Sequence, residues 1–371
     1  MSRVTARLSL LALSLSVALG TAVAVGTAVL ADDENKSSRD LRDVIPSAIS
    51  PEAHAIFERL LPAARQRRLT QKYPTTPEEF DANYAEVLAR AEAQTKPLLE
   101  ALGVATADLK MGGVGVLETK PPGYQDDGTV LIRVHGGGFI QDSARSSAGG
   151  DAMMAIVTGK RILSVDYTVA PRGKWALVTD QVMAVYKAVL AERYPPGSIG
   201  MFGDSAGGNI VPASILKLRD QGLPMPGAVV LLSPCVDLGL SGDTETTLRE
   251  ADPALPNQAA VNAGFKAYAD PADWKNPYVS PIYGDFTKGF PPVLLQVGTR
   301  EILLSDSVRF YHAVKSAGGK AELDVYEGMT HVFQSYMKDT PEQKAAYAEI
   351  KRFWSSYLTP RTSRLRSAGQ R

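Results

Sequence analysis

The chain has 371 residues, of which 44% are hydrophobic and 22% are charged. This composition is typical of a globular protein and excludes collagen-like, coiled-coil and wholly disordered chains. The 40 basic and 40 acidic residues give a formal net charge of zero, which argues against nucleic acid or an anionic membrane surface as the main partner.

The first 31 residues have the pattern of an export signal. Arg3 and Arg7 precede an uncharged run from Leu8 to Ala31 that ends in small residues, as in a secretory signal peptide. Cleavage is expected after Ala24 or after Ala31. The run is also long enough to span a bilayer as an uncleaved anchor. We therefore predict an exported protein, periplasmic or secreted, that is held at a membrane only if this segment stays uncleaved.

The segments that flank the predicted core are distinguished by composition. Residues 32–50 are polar and predict a linker. Residues 51–103 predict helices: the first begins at Pro51 after Ser50, and the segment Pro77 to Leu102 is rich in Ala, Glu and Leu. Residues 360–371 carry four arginines without an apolar period and predict a disordered basic tail.

Between residues 104 and 359, short β-branched runs alternate with helical stretches. The predicted strands are Val130 to Val134, Ile162 to Val165, Ile199 to Phe202, Ala228 to Leu232, Pro292 to Val297 and Ala321 to Tyr326. The predicted helices cover residues 176–192, 205–220, 304–317 and 341–357. This alternation predicts an α/β fold whose central sheet is mostly parallel and carries helices on both faces.

One long stretch interrupts the alternation, between Ser233 and Pro292. Because a stretch of this length is rarely a bare loop, we predict an inserted helical cap over residues 240–285. The aromatic residues Trp274 and Tyr278 in this insertion suit the core of the cap and the wall of a pocket equally well.

The segment Gly203-Asp204-Ser205-Ala206-Gly207 has the pattern of a nucleophile elbow, since it follows a predicted strand and opens a predicted helix. A serine on so tight a turn has a strained backbone, and side chains two residues before or after it would clash. Gly203 and Gly207 satisfy this requirement. The helix start then directs free N–H groups at an oxyanion formed beside Ser205. The structural alternative is a glycine-rich turn that only packs a helix on a strand.

A second motif, His135-Gly136-Gly137-Gly138-Phe139, comes earlier in the chain, directly after the predicted strand Val130 to Val134. Successive glycines leave backbone amides uncovered, so that they can donate to an anion, and the amide after the nucleophile, here Ala206, completes an oxyanion hole. A phosphate-binding loop is the alternative, but Gln141 stands where a third glycine would be needed and no Gly-Lys-Ser/Thr follows. We expect His135 to hold this loop rather than to titrate.

A serine nucleophile needs a base. His331 follows the predicted strand Ala321 to Tyr326, at the carboxyl end of the sheet, where α/β folds place active sites. His312 lies on an amphipathic helix, and His54 comes too early in the chain for the order nucleophile, acid, base. We therefore predict that His331 is the base.

Two carboxylates follow the preceding predicted strand and are candidates for the acid that orients His331. Such a group fixes the histidine tautomer and stabilises the imidazolium. Asp306 stands at the start of a predicted helix, where capping is the competing role. Glu301 comes closer to the end of the strand, and its additional methylene lets it serve from a retracted backbone. We predict Glu301 as the acid, with Asp306 as the alternative.

The sequence predicts no metal and no organic cofactor. No two of the four histidines have ligand spacing, and no H-E-x-x-H pattern occurs. The single cysteine, Cys235, excludes an intrachain disulfide.

Four motifs occur in the order His-Gly-Gly-Gly, Gly-Asp-Ser-Ala-Gly-Gly, an acid, and Gly-Met-x-His-x-Phe. In this order they resemble the hormone-sensitive-lipase-like family of α/β-hydrolase esterases over roughly residues 110 to 357. The resemblance implies that Ser205 is the nucleophile and His331 the base. It also implies that the backbone amides of Gly137, Gly138 and Ala206 are the oxyanion donors.

The resemblance further implies a domain organisation. It predicts an α/β-hydrolase core over residues 104–239 and 286–359, and a cap made from the helices of 51–103 and the insertion 240–285. The family usually has Asp where Glu301 stands. Its usual Asp-Tyr-Arg-Leu-Ala-Pro-Glu is replaced here by Asp-Tyr-Thr-Val-Ala-Pro-Arg at residues 166–172, which changes the local ion pairing.

These observations predict an exported serine carboxylesterase that hydrolyses small esters or lactones through an acyl-enzyme. An amidase or deacetylase on the same triad is the alternative chemistry. The alternative class is a non-catalytic module that binds a small molecule, which we expect to lack a triad member. Ser205 and His331 are both present. The oligomeric state is not predicted.

Overall fold

A mixed β-sheet forms the centre of the structure, a computed structural model that describes residues 43–70, 74–255 and 258–361. Its strands are β1 (Ala105–Met111), β2 (Val114–Lys120), β3 (Val130–Val134), β4 (Arg161–Asp166), β5 (Ile199–Asp204), β6 (Ala228–Leu232), β7 (Val293–Gly298) and β8 (Ala321–Tyr326). They lie in the order β1-β2-β4-β3-β5-β6-β7-β8. β2 pairs antiparallel with β1 and with β4, and all the other pairs are parallel.

Helices connect the strands. They are α1 (Pro51–Thr70), α2 (Pro77–Leu102), α3 (Ala148–Thr158), α4 (Trp175–Ala191), α5 (Gly207–Asp220), α6 (Thr244–Thr247), α7 (Gln258–Tyr268), α8 (Leu304–Ser316) and α9 (Pro341–Tyr357). Short 3-10 turns lie between several of them, one of which is Phe333–Ser335.

Both faces of the sheet are covered, because neighbouring residues of a strand point to opposite sides. Ile132 of β3 packs in the core that includes side chains of α4, α5 and α8. Leu131, its neighbour, packs in a second core with side chains of α3 and α9. Both residues are fully buried. The predicted α/β fold with a mostly parallel sheet is confirmed.

The sequence analysis missed three elements: β1, β2 and α3. A signal for the first two was available, since Gly112 and Gly113 join them as a two-residue turn with φ of 58° and 85°. Such positive φ values are typical of hairpin turns and favour glycine. Helix α3 carries two glycines in its first turn, which weakens its helical signal.

The ends of the chain correct two predictions. The signal segment 1–31 and the linker up to residue 42 lie outside the described residues, as does the tail from 362 onward. Residues 45–50 are not a linker, because Ile45 and Ile49 pack against the apolar cluster around Phe333. Arg361 is not part of a disordered tail, since its guanidinium lies 4.0 Å from the centre of the Tyr194 ring.

The described residues from Ile45 onward form one compact unit. Among the described residues, no helix combines the length and the apolar character needed to cross a bilayer.

Candidate active site

Ser205 lies on the turn between β5 and α5 with a φ of 53°, in the left-handed region that side chains rarely adopt. Its N–H donates to the carbonyl oxygen of Leu232 at 2.9 Å, which fixes the turn to the end of β6. A Cβ on Gly203 would lie 2.4 Å from the carbonyl oxygen of Gly207, and a Cβ on Gly207 would lie 2.1 Å from that of Val134. The steric requirement of a nucleophile elbow is met at both glycines.

The glycine loop after β3 is held from beneath by Tyr167. The Tyr167 hydroxyl lies 3.1 Å and 3.2 Å from the carbonyl oxygens of His135 and Gly136. The His135 ring stacks on the Tyr167 ring at 4.1 Å between centroids. Burial lowers the pKa of His135 to about 4, so the ring is neutral at physiological pH. His135 therefore holds the loop, as expected from the sequence.

The three predicted oxyanion donors lie beside Ser205. Gly137, Gly138 and Ala206 line the same cavity as Ser205. Gly137 and Gly138 have φ of 92° and 60°, which turns the loop so sharply that its amides are not used in β-sheet pairing. Within the described residues, none of these three amides donates to another backbone group, so all three can donate to a bound oxyanion.

His331 and Glu301 meet behind this cavity. Nδ1 of His331 lies 3.1 Å from Oε2 of Glu301, and the Glu301 side chain is completely buried. The other carboxylate oxygen accepts from the N–H of Gly298 at 2.6 Å and from the hydroxyl of Ser233 at 2.8 Å. Burial lowers the pKa of His331, but the hydrogen bond and charge of Glu301 outweigh this effect and hold the pKa above its usual value.

Asp306, the other candidate acid, is directed elsewhere. It lies in the first turn of α8, where its Oδ2 accepts from the N–H groups of Val236 and Asp237 at 2.8 Å and 3.0 Å. Burial raises the pKa of Asp306 to about 7, and the nearby Asp237 adds to the effect. Of the two candidate acids, the structure brings Glu301 to His331 and leaves Asp306 as an acceptor for the chain after β6.

The cavity in front of Ser205 and His331 has a volume of about 550 Å³ and mostly apolar walls. Helix α1 and the insertion 240–285 supply much of the wall through Phe57, Leu60, Ala64, Leu255, Val261 and Phe265. Trp274 and Tyr278 do not line the cavity. Trp274 packs edge-on against Phe265, and the Tyr278 hydroxyl donates to Asp220 at 3.0 Å. These two aromatic residues belong to the body of the insertion.

Comparison with known proteins agrees with this geometry. Residues 131–335 match a protein family described by the α/β hydrolase fold. An esterase from Acinetobacter venetianus is 35% identical over 250 residues, which cover 67% of this chain and 81% of that protein. An acetyl-hydrolase from Streptomyces hygroscopicus is 32% identical over 245 residues, 66% of this chain and 81% of the relative.

A solved esterase from the bacterial hormone-sensitive lipase family superposes with a TM-score of 0.70 at 31% identity. The superposition covers 84% of this chain and all of the solved one. The chain belongs to the hormone-sensitive-lipase-like family of α/β-hydrolase esterases. It is a serine ester hydrolase.

The elbow of this esterase rests on a buried ion network that sequence reasoning missed. Arg133, near the end of β3, contacts Asp204 and Asp151, each at 2.7 Å between nitrogen and carboxylate oxygen. Ser164 donates to the second oxygen of Asp151 at 2.6 Å. The network ties the residue before Ser205 to β3, β4 and α3. The available signal was an arginine within an otherwise apolar strand.

The esterase departs from the usual family motif at residues 166–172, and the structure shows how the new residue is accommodated. Arg172 stands where the family has Glu, and it forms an ion pair with Asp81 of α2 at 2.7 Å. Its guanidinium also lies 5.7 Å from the centre of the Tyr84 ring. Both contacts join the loop after β4 to α2, whose residues do not line the cavity.

Proposed function

We propose that this esterase hydrolyses small carboxylic esters, lactones among them, through a triad of Ser205, His331 and Glu301. One observation carries the proposal: a fully buried Glu301 binds Nδ1 of a histidine that lines the same cavity as a serine on a strained elbow. This is the arrangement of nucleophile, base and orienting acid that acyl transfer requires.

The proposed reaction follows from which nitrogen of His331 carries the proton. With Nδ1–H donating to Glu301, Nε2 is the free acceptor, and it takes the Ser205 proton as Oγ attacks the ester carbonyl. The amides of Gly137, Gly138 and Ala206 hold the resulting oxyanion. His331 then gives the proton to the leaving alcohol as the carbonyl–oxygen bond breaks. A water molecule attacks the acyl-enzyme in the same way, which releases the acid and restores Ser205.

The cavity supports an apolar acyl or alcohol group of modest size. Its walls near Phe57, Val261 and Phe265 are apolar, and apolar surface favours burial of hydrocarbon groups. One relative carries the name acetyl-hydrolase, so short acyl groups are the first to test.

We also propose that the esterase is exported. The support is the basic start, the uncharged run from Leu8 and the small residues before Asp32. The mature protein is expected to begin near Val25 or at Asp32. N-terminal sequencing of the protein recovered from the cell envelope or medium tests where the mature chain begins. A product that still contains Arg3 would indicate a membrane anchor.

The catalytic proposal is tested with p-nitrophenyl esters of graded acyl length and the matched p-nitroanilides. Ser205→Ala should abolish ester hydrolysis while its circular dichroism spectrum stays that of the wild type. A folded Ser205→Ala variant with near-wild-type turnover would rule out this nucleophile. Faster cleavage of the anilides than of the esters would favour the amidase alternative.

A further inference from the structure

Asp252, a residue of the insertion 240–285, reaches the main chain of the proposed base. Its Oδ2 accepts a hydrogen bond from the backbone N–H of His331 at 2.9 Å. Its Oδ1 accepts from the N–H of Ala254 at 2.8 Å, which closes a local turn. Asp252 is only 3% exposed. A buried carboxylate is unfavourable unless hydrogen bonds compensate it, and one of these two bonds comes from the loop that carries His331.

The segment around Asp252 contacts three parts of the site. The carbonyl oxygen of Ala251 accepts from Nε of Arg300 at 3.0 Å, and Arg300 directly precedes Glu301. The three residues that follow Asp252, at positions 253–255, line the cavity. The same short segment therefore touches the loop of the acid, the loop of the base and the space that substrate would occupy.

Asp252 also adds negative charge beside His331. The carboxylates that favour the charged form of His331 are those of Glu301, Asp252 and Asp204. Burial raises the pKa of Asp252 to about 6, and the charge of Glu301 adds to this effect while His331 opposes it. Asp252 is therefore ionised above that pH. The titratable groups near Asp252 are Glu301, His331, Arg300 and Tyr336.

We propose that Asp252 is a positioning residue for ester hydrolysis: it fixes the backbone of His331 and couples the wall formed by the insertion to the base. The inference rests on the proposed triad, because the group that Asp252 positions is His331. A role limited to the turn at Ala254 would need only one carboxylate oxygen, whereas the second oxygen is bound to the base loop.

Two substitutions separate these roles. Asp252→Asn and Asp252→Ser both keep an acceptor for the N–H of Ala254, because Asn and Ser form the same kind of turn. Neither can accept from both N–H groups, because the one amide oxygen of Asn that binds the N–H of Ala254 leaves NH₂ toward His331, and the Ser hydroxyl is too short to reach both. We expect kcat on a p-nitrophenyl ester to fall by about 10- to 100-fold, because small displacements of a catalytic group are costly in rate. KM should change far less.

The pH profile of kcat/KM provides a readout that a purely structural role would not move. Removal of the Asp252 charge lowers the pKa of His331, so the acid limb of the profile should shift to lower pH in both variants. Asp285→Asn is the matched control. Asp285 forms the same kind of turn with the N–H of Thr287 at 3.1 Å but is exposed and does not line the cavity, so its profile should match the wild type.

Thermal unfolding identifies which of the two Asp252 variants folds, and one folded variant is enough for the kinetic test. A folded variant with kcat within about threefold of the wild type would overturn the positioning role, and an unmoved acid limb would show that the Asp252 charge does not act on His331. Ser205→Ala, assayed alongside, distinguishes an error in the role of Asp252 from an error in the proposed triad. If it is inactive while Asp252→Asn is fully active, only the role of Asp252 is wrong. If it is active, the triad itself is wrong.

Discussion

Glu301→Gln keeps the shape of the side chain, and the hydrogen bonds of Glu301 determine which way the new amide must lie. One oxygen of Glu301 accepts from the N–H of Gly298 and the hydroxyl of Ser233. Because an NH₂ group cannot face the Gly298 N–H, the glutamine oxygen has to stay there. The NH₂ group then faces Nδ1 of His331, which lies 3.1 Å from the other oxygen of Glu301.

The rate consequence follows from the histidine tautomer. Nδ1 must become an acceptor, so the proton moves to Nε2, which can no longer take the proton of Ser205. A wrong tautomer of this kind lowers kcat on the order of 10⁴-fold, which is about 5 kcal/mol in activation free energy. Since both bonds to the retained oxygen persist, we expect a far larger loss of rate than of stability.

Asp306→Asn is the matched control for this substitution. Oδ2 of Asp306 accepts from two backbone N–H groups. Oδ1 lies 3.8 Å from Nη1 of Arg309 but has no hydrogen-bond partner in the described residues, so its replacement by NH₂ removes no hydrogen bond. Its kcat should stay within about threefold of the wild type. Initial rates on p-nitrophenyl acetate and thermal melts of both variants provide the comparison. A large loss in Asp306→Asn with an active Glu301→Gln would refute the reasoning.

Three further predictions concern the loop, the core and the cavity wall. Gly137→Ala should lower kcat more than Gly138→Ala, because a Cβ on Gly137 would lie 2.3 Å from the carbonyl oxygen of Gln141 while Gly138 has open space; the reverse order would contradict the loop geometry. Burial raises the pKa of Glu245 to about 8. The folded protein therefore keeps Glu245 protonated where the unfolded chain has lost the proton, and the wild type loses stability as the pH rises from the pKa of the unfolded chain to about 8. Glu245→Gln should therefore raise the melting temperature more at about pH 9 than at about pH 5, and equal shifts would refute this. Leu60→Trp should lower kcat/KM for long acyl esters more than for acetates, since Leu60 lines the cavity; equal losses would argue against its place in the wall.

The parts of the site that the sequence predicted depend on local geometry. Gly203 and Gly207 are required by the turn that carries Ser205, so the requirement is visible in a short sequence motif. Glu301 and His331 follow consecutive parallel strands, β7 and β8, whose carboxyl ends lie side by side. The pairing of acid and base therefore follows from strand order, and the sequence favoured Glu301 while it left Asp306 open as the alternative.

The parts that the sequence did not predict depend on contacts between distant residues. Asp252 and His331 are 79 positions apart, and Arg133 and Asp204 are 71 positions apart. Nothing in the residues around either carboxylate specifies such a partner, because the contact depends on how the insertion and β3 pack. The predicted linker failed at 45–50 for the same reason: Ile49 has an apolar partner only in the folded chain.

Covalent trapping of the nucleophile tests the central claim, that Ser205 is activated by His331 and Glu301. The folded esterase is treated with diethyl p-nitrophenyl phosphate, and the modified residue is located by peptide mass spectrometry. We predict one diethylphosphoryl group on Ser205, loss of activity in proportion to labelling, and strongly slowed labelling in Glu301→Gln. Full labelling at Ser205 with activity retained, or inactivation with the label on another residue, would contradict the account.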